Sequence, residues 1–237
     1  MGRRLAGDRD QPSSELRSFG RRRGRKLSAR QSHMLAEVGP GVRPDIAGPP
    51  PEAVTALFAV PVSQVWLEIG FGGGEHLVWQ AQHHPGVGII GCEPFEEGVV
   101  KVLALVEEQG IANIQIHPDD VRPLLRWLPA GTLDRAFVLF PDPWPKMRHR
   151  KRRLVAMPLL DQLARALKPG AELRLATDIG DYARTMLAAL MRHPSFRWTA
   201  TGPSDWRGRP ADWPPTRYEA KALREGRRCT YLRFVRV

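Results

Sequence analysis

The chain has 237 residues, 42% of them hydrophobic, which is enough for one large domain or two small ones with a buried core. It has no apolar run of about 18 residues and only two cysteines, which excludes a transmembrane helix, a disulfide framework and a four-thiolate zinc site. The formal net charge of +11 comes mainly from residues 1–30 and from the run RHRKRR at 148–153, while the remainder is close to neutral. Two basic patches on a near-neutral body favour a polyanionic partner, because each phosphate contact releases a counterion.

Residues 1–50 are rich in Arg, Gly and Pro and are predicted to form a basic, flexible arm, followed by one folded domain over 51–237. The arm lacks the apolar segment of a secretory signal, so we expect a cytoplasmic protein. From residue 62 onward, apolar runs typical of strands alternate with helical patterns. The predicted strands cover 62–70, 86–93, 113–120, 132–140, 171–178, 196–201 and 229–237, and the predicted helices cover 75–84, 95–110, 122–128, 152–170 and 181–193.

Strand and helix alternate five times, a pattern typical of an α/β fold with helices on both faces of a mostly parallel sheet. The last two predicted strands have only a Pro- and Trp-rich loop at 202–217 between them. That connection favours a hairpin, so the seven-stranded sheet is expected to carry an antiparallel edge strand.

A glycine-rich turn, LEIGFGGGEHL, stands between the first predicted strand and its helix. Gly70 and Gly72 allow a tight turn and a close approach of a ligand to the backbone. Glu93 ends the next strand, 21 residues after Gly72, where a carboxylate can accept hydrogen bonds from ribose hydroxyls. The combination indicates a nucleoside cofactor.

The choice of cofactor depends on charge. A dinucleotide motif needs glycine where Glu75 stands, and the acidic Glu68 just before the turn would repel a pyrophosphate. The same carboxylate attracts the cations of S-adenosylmethionine, and Asp120 or Asp119 at the third strand could accept from an adenine amino group. For each carboxylate alone, a helix cap or a solvated loop explains its place equally well.

The segment VLFPDPWPK follows the fourth strand and brings Asp142, Trp144 and Lys146 next to the run RHRKRR. A planar base could stack on Trp144 for about 1–3 kcal/mol, although burial of this tryptophan in the core is the competing explanation. Asp178 ends the fifth predicted strand, and Glu219 ends the segment TRYE. Carboxylates at these positions can accept hydrogen bonds from the N–H and amino groups of guanine. Capping of a helix by Asp178 explains that residue equally well.

At this point the segments LEIGFGGGEHL, FPDPWPKMRHRKRR, LATD and TRYE resemble the bacterial tRNA (guanine-N7-)-methyltransferases over roughly residues 60–237. The PDPW–Lys–Arg-rich run is specific to that family, whereas the glycine-rich turn is shared by all class I methyltransferases. The resemblance implies a Rossmann-like class I fold and methyl transfer from S-adenosylmethionine to N7 of guanine 46 in the variable loop of tRNA. The arm at 1–30 is not part of the family pattern, and its role is open.

The resemblance also implies a set of functional residues. N7 carries a lone pair and no proton, so the reaction needs no general base, and a carboxylate facing the base would stabilise the positive charge it acquires. The candidates for this catalytic role are Asp142 and Asp178. The implied cofactor-binding residues are Glu68, Gly70, Gly72, Glu93, Asp120 and Asp142, and the implied substrate-binding residues are Lys146, Arg148, Arg150, Lys151, Arg152, Arg153, Asp178, Thr216, Arg217, Tyr218 and Glu219.

Three alternatives stay open: a class I methyltransferase for another acceptor such as an exocyclic amine, a nicotinamide-dependent dehydrogenase, and a non-catalytic RNA-binding module. Glu75 in the glycine run speaks against the dehydrogenase. The histidines show no metal-ligand spacing, so no metal is expected. No membrane partner is expected, and the sequence is compatible with a monomer or a homodimer.

Overall fold

The computed structural model describes residues 20 and 22–237. Within them, seven strands form one sheet in the order β3-β2-β1-β4-β5-β7-β6. The strands are β1 (Gln64–Ile69), β2 (Val87–Cys92), β3 (Ile114–His117), β4 (Leu133–Leu139), β5 (Leu167–Thr177), β6 (Phe196–Trp198) and β7 (Thr230–Arg236).

Eight α-helices accompany the sheet in the described part of the chain. Short 3-10 or π-helical turns lie at 34–42, 54–57 and 147–152. The α-helices are α1 (Ala29–His33), α2 (Glu75–His83), α3 (Glu96–Gln109), α4 (Val121–Trp127), α5 (Met157–Ala166), α6 (Gly180–Arg192), α7 (Ser204–Arg207) and α8 (Arg217–Arg224).

The central strands are buried on both faces, which explains why the sequence shows them as continuous apolar runs. In β1 every residue from Val65 to Ile69 is buried. Leu67 pairs in parallel with Ile90 of β2 on one side and with Ala136 of β4 on the other. Parallel strands end at the same edge of the sheet, so the turns that follow β1, β2, β3 and β4 meet there.

The last two strands form the predicted hairpin. β7 pairs antiparallel with β5, for example Leu173 with Phe234, and β6 pairs antiparallel with β7. The mostly parallel seven-stranded sheet is therefore confirmed, with the antiparallel β7 one position inside the edge strand β6.

Several predicted boundaries differ from the structure, most of all in two regions. The predicted helix over 152–170 ends at Ala166, because Leu167 already pairs with Leu133 as the first residue of β5. The predicted loop at 202–217 contains the short α7 and leads into α8, whose only buried residues are Glu219 and Ala222. α8 is only eight residues long and rich in charged side chains, so its apolar pattern is too short to indicate a helix in the sequence.

The C-terminal part of the predicted arm is folded against the domain. Residues 29–42 form helical turns, and Met34 is buried among the side chains that pack around α3. Arg30 also forms an ion pair with Glu108 of α3, with 3.0 Å between Nη2 and Oε1. The folded domain thus begins before residue 51, while residues 1–19 of the predicted arm lie outside the described residues.

The helices of the described chain include none with both the length and the apolar composition needed to cross a bilayer.

Candidate active site at the carboxyl edge of the sheet

A cleft of about 350 Å³ opens where the first four strands end. Its walls combine apolar side chains with carboxylates, an arrangement typical of small-molecule sites in open α/β sheets. The residues that line it include Gly70, Gly72, Glu93, Phe95, Asp119, Asp120, Arg122, Phe140, Asp142, Trp144, Arg152, Leu154 and Tyr218, together with Gly20 from the N-terminal segment.

The glycine-rich turn forms the floor of the cleft. Gly70 and Gly72 have φ angles of 77° and 56°, which side chains with a Cβ rarely adopt. Gly98 in the first turn of α3 packs so closely that a Cβ there would lie 2.3 Å from the Gly72 carbonyl oxygen. Glycine is therefore required both for the turn and for the helix that packs on it.

Glu93 is fixed by two backbone donors. One carboxylate oxygen accepts from the Gly72 N–H at 2.8 Å and the other accepts from the Phe95 N–H at 2.9 Å. Burial raises the pKa of this carboxyl, and the two backbone hydrogen bonds act in the opposite direction. Each oxygen keeps a further lone pair, so the side chain can still accept hydrogen bonds from ligand hydroxyls.

Asp119 and Asp120, the two acids that follow β3, both line the cleft. The structure therefore leaves both as candidates for the acceptor of an adenine amino group. Asp120 accepts from the Arg122 N–H at 2.9 Å, which caps α4, and also pairs with the Arg122 guanidinium at 2.8 Å. Asp119 pairs with Arg22 of the N-terminal segment at 2.6 Å. Each acid already has an arginine partner, so neither contributes a bare charge to the cleft.

Asp142 is different, because no described residue donates a hydrogen bond to its carboxyl group. Desolvation raises its pKa, and its negative charge in turn helps to raise the pKa of Glu93. Two carboxyl groups that repel each other across a partly desolvated cleft create a negative potential there. Such a potential favours a cationic ligand.

Two non-glycine residues with positive φ bracket Asp142: Phe140 at 50° and Trp144 at 42°. The loop is held in this conformation by Arg153, whose Nε donates to the Pro143 carbonyl oxygen at 3.0 Å. Backbone strain of this kind costs on the order of 1–3 kcal/mol per residue and persists only where neighbouring contacts fix it. Trp144 is half-buried and lines the cleft. It is therefore not a core residue, which was the competing explanation.

The run RHRKRR does not act as one patch. Arg148 and Lys151 are exposed, as is Lys146 just before them. Arg152 lies over the Trp144 ring, with the guanidinium carbon 4.9 Å from the ring centroid. Arg150 is exposed and pairs with Asp181 of α6 at 3.0 Å.

The position of Arg153 does not favour its predicted contact with RNA. Only 4% of its surface is exposed, because it turns inward and stacks over the Tyr182 ring. Its guanidinium donates to the Thr185 hydroxyl and to Asp181, in addition to the Pro143 carbonyl. Arg153 therefore joins the Asp142 loop to α6.

The structure does not bring Glu68 into the lining of the cleft, so its predicted cofactor contact stays a prediction. Its side chain is buried beneath the glycine turn and lies 2.7 Å from Nδ1 of His76. Gln80 lies 3.1 Å from the other ring nitrogen of His76 and donates to the Asp212 carbonyl oxygen at 2.9 Å. Nothing in the sequence pointed to His76 or Gln80, since their partners are brought together only by the fold.

Asp178 does not line the cleft either. Its carboxylate pairs with Arg227 at 2.7 Å. The alternative that Asp178 caps a helix does not hold, because the residue at the start of α6 is Ile179 and no side chain caps that end.

Of the motif TRYE, only Tyr218 lines the cleft. Thr216 is buried and caps α8 by accepting from the Glu219 N–H. Glu219 is buried, accepts from the Tyr231 hydroxyl at 2.5 Å and pairs with Arg209 at 3.1 Å. Arg217 lies beside the Tyr218 ring and 3.5 Å from Glu75, which places it over the glycine turn.

The cleft fits S-adenosylmethionine by the chemistry of its donor and acceptor set. Glu93 has free lone pairs for ribose hydroxyls, Asp119 and Asp120 add carboxylate acceptors to the wall of the cleft, and Asp142, which accepts no hydrogen bond from a described residue, suits a cation. The apolar walls suit a purine ring. Within the described residues there is no cluster of three or more His, Cys, Asp or Glu side chains that could hold a metal ion.

Comparisons with known proteins agree with this chemistry. The family model described as "Putative methyltransferase" matches residues 63–232. The tRNA (guanine-N(7)-)-methyltransferase of Rhodospirillum rubrum is 51% identical over 96% of this chain and 90% of its own length. The proteins of the same name from Chelativorans sp. and Rhodopseudomonas palustris are 46% and 49% identical over 92% of this chain, and 94% and 87% of their own lengths. This chain belongs to the family of the tRNA (guanine-N(7)-)-methyltransferases.

Proposed function

We propose that this chain transfers a methyl group from S-adenosylmethionine to N7 of a guanine in tRNA, at position 46 of the variable loop. The observation that carries the proposal is the cleft at the strand ends, lined by Gly70, Gly72, Glu93 and Asp142, whose rim continues into an exposed basic loop. The names of the relatives support the same activity.

The cofactor would supply a methyl group on a sulfonium cation, and the residues of the cleft would hold it. Glu93, already oriented by two backbone N–H groups, would accept hydrogen bonds from ribose hydroxyls. Asp120, with Asp119 as the alternative, would accept from the adenine amino group. Gly70 and Gly72 would let the ligand approach the backbone closely.

Methylation at N7 requires positioning more than proton transfer, because N7 has a free lone pair and no proton. A positive charge develops on the purine, and a preoriented carboxylate in a partly desolvated cleft stabilises it. Asp142 is the carboxylate best placed for this, since it lines the cleft, its loop is fixed by Arg153, and no described residue competes for its oxygens. Asp178 would first have to exchange its ion pair with Arg227 for the base.

The guanine would stack on Trp144, whose ring lines the cleft. Lys146, Arg148 and Lys151 are exposed on the loop that follows and would contact phosphates. Glu219 could accept from the Watson–Crick edge of guanine only by exchanging its present partners, Tyr231 and Arg209.

The test is transfer of a labelled methyl group to unmodified tRNA, with the product nucleoside identified by mass and by cleavage with aniline, which is specific for 7-methylguanine. We expect 7-methylguanine as the product. A methyl group on an exocyclic amine would instead support the alternative acceptor, and an absence of saturable S-adenosylmethionine binding in calorimetry would support a non-catalytic RNA-binding module.

A further inference from the structure

The helix that begins at the cleft carries a row of cations on its outer face. We infer that Lys221 and Arg224 of α8, with Arg228 just after it, form a second phosphate-binding surface for RNA. This inference rests on the proposed function, since it assigns further contacts to the same tRNA substrate.

The two faces of α8 are chemically distinct. Glu219 and Ala222 are buried and hold the helix against the domain. Lys221 and Arg224 are exposed, and their spacing of three residues places them on one side of the helix. Arg228 is also exposed, and it lies in the turn that leads to β7.

The fold neutralises the inner cations of this region and leaves the outer ones without a partner. Arg227 pairs with Asp178 and Glu225, and Arg209 pairs with Glu219. By contrast, no carboxylate in the described part of the chain pairs with the three outer cations. Since exposed cations without partners repel one another, a polyanion bound across them is the arrangement that offsets this repulsion.

The position of α8 relative to the cleft fits an RNA strand. Tyr218 in its first turn lines the cleft, and at a rise of about 1.5 Å per residue Lys221 and Arg224 lie about 5 and 9 Å further along the helix axis. Trp144 and Arg152 also line the cleft, and the exposed basic loop continues from them. A strand with one base in the cleft has phosphates on both sides of that base, and each of the two basic surfaces adjoins residues that line the cleft.

A different result is expected if Lys221 and Arg224 only stabilise α8 itself. Cations in the last turn of a helix stabilise it by about 0.3–1 kcal/mol through the helix dipole. On that explanation, removal of Lys221 and Arg224 would lower the melting temperature and leave RNA binding unchanged.

The test compares Lys221→Gln/Arg224→Gln with the matched control Arg192→Gln/Arg197→Gln in the full chain. Arg192 and Arg197 are exposed cations at the end of α6 and in the edge strand β6, away from the strands whose ends form the cleft. Dissociation constants for unmodified tRNA are measured between about 50 and 200 mM salt, where the slope of log affinity against log salt counts phosphate contacts. S-adenosylmethionine affinity and the melting temperature are measured in parallel.

We expect the α8 variant to bind tRNA about tenfold more weakly and to lose about one unit of salt slope per contact, with unchanged affinity for S-adenosylmethionine. The control should keep the wild-type slope, and the swap Lys221→Arg/Arg224→Lys should restore it. An unchanged slope in the α8 variant, or an equal change in the control, would overturn the inference and leave the proposed function standing. Failure of the wild-type protein to bind tRNA would overturn both.

Discussion

Glu68 and His76 form a hydrogen bond of 2.7 Å beneath the glycine turn, in a part of the core where both side chains are only 2% exposed. An ionised carboxylate can only accept, so the network assigns the proton to Nδ1 of His76 and leaves Nε2 as an acceptor for the Gln80 amide. The same amide donates to the Asp212 carbonyl. A continuous polar chain therefore links the end of β1 to the loop at 208–216.

The first prediction concerns that link. Gln80→Leu keeps the side-chain volume and removes both hydrogen bonds, which leaves the Asp212 carbonyl unsatisfied at a cost of about 1–3 kcal/mol. We expect the loop at 208–216 to open more often, trypsin to cleave faster at the Arg207–Gly208 bond that begins it, and the KM for tRNA to rise several-fold. The affinity for S-adenosylmethionine should change little, because the cleft residues are untouched.

The matched control for this substitution is Asn113→Leu. Asn113 is buried and donates to the Ala81 and Val87 carbonyls, away from the loop at 208–216. Asn113→Leu should lower the melting temperature by a similar amount with no change in cleavage at the Arg207–Gly208 bond. Equal proteolysis of the two variants would mean that Gln80 only stabilises the fold.

The second prediction is that Asp142→Asn stabilises the protein at neutral pH, by a small amount because Asp142 is still exposed, while it impairs function. Desolvation raises the pKa of Asp142, so its ionised form is disfavoured in the folded state. Because the folded-state pKa lies above the unfolded one, stability falls as the pH rises from the unfolded value to the folded value, and stays lowered above it. The variant should therefore melt at a higher temperature at pH 7, with the difference vanishing in acid, and should lose most of its methyl-transfer activity. A lower melting temperature at pH 7 would contradict this account of the cleft.

The third prediction concerns the pH dependence of cofactor binding. Glu93 has a pKa above its ordinary value of 4.5, raised first by burial and further by the charge of Asp142. A protonated Glu93 can no longer accept from two ribose hydroxyls as well as from the backbone. Calorimetric affinity for S-adenosylmethionine should thus decline as the pH falls through a midpoint above 4.5. In Asp142→Asn the midpoint should move down, because the repelling charge is gone; an upward shift would argue against the coupling of the two groups.

The sequence predicts the parts of this site that depend on local spacing. The glycines of the turn and the acid at the end of β2 stand at fixed distances along the chain, and the parallel sheet brings them together. The burial of Glu68 on His76 and the pairing of Asp178 with Arg227 depend on partners from other elements, so no spacing reveals them. In the run RHRKRR the five Lys and Arg residues look alike, and only the fold decides that one of the arginines turns inward.

The last prediction compares substitutions of the buried Arg153 and the exposed Arg148. Arg153→Gln removes charge-assisted hydrogen bonds to Asp181 and to the Pro143 carbonyl, each worth roughly 1.5–3 kcal/mol in general. Arg148→Gln removes an exposed cation and should leave the melting temperature within a degree or two.

Their effects on function should differ in the same way. Without Arg153 the strained loop around Asp142 loses its anchor, so we expect a lower melting temperature and a large fall in kcat, with a salt slope of tRNA binding close to that of the wild type. Arg148→Gln should keep kcat at saturating tRNA and reduce the salt slope by about one unit. Melting curves, single-turnover rates and a salt series on the two variants measure all three quantities. If Arg153→Gln reduced the salt slope without lowering the melting temperature, Arg153 would contact RNA in solution instead of anchoring the loop around Asp142.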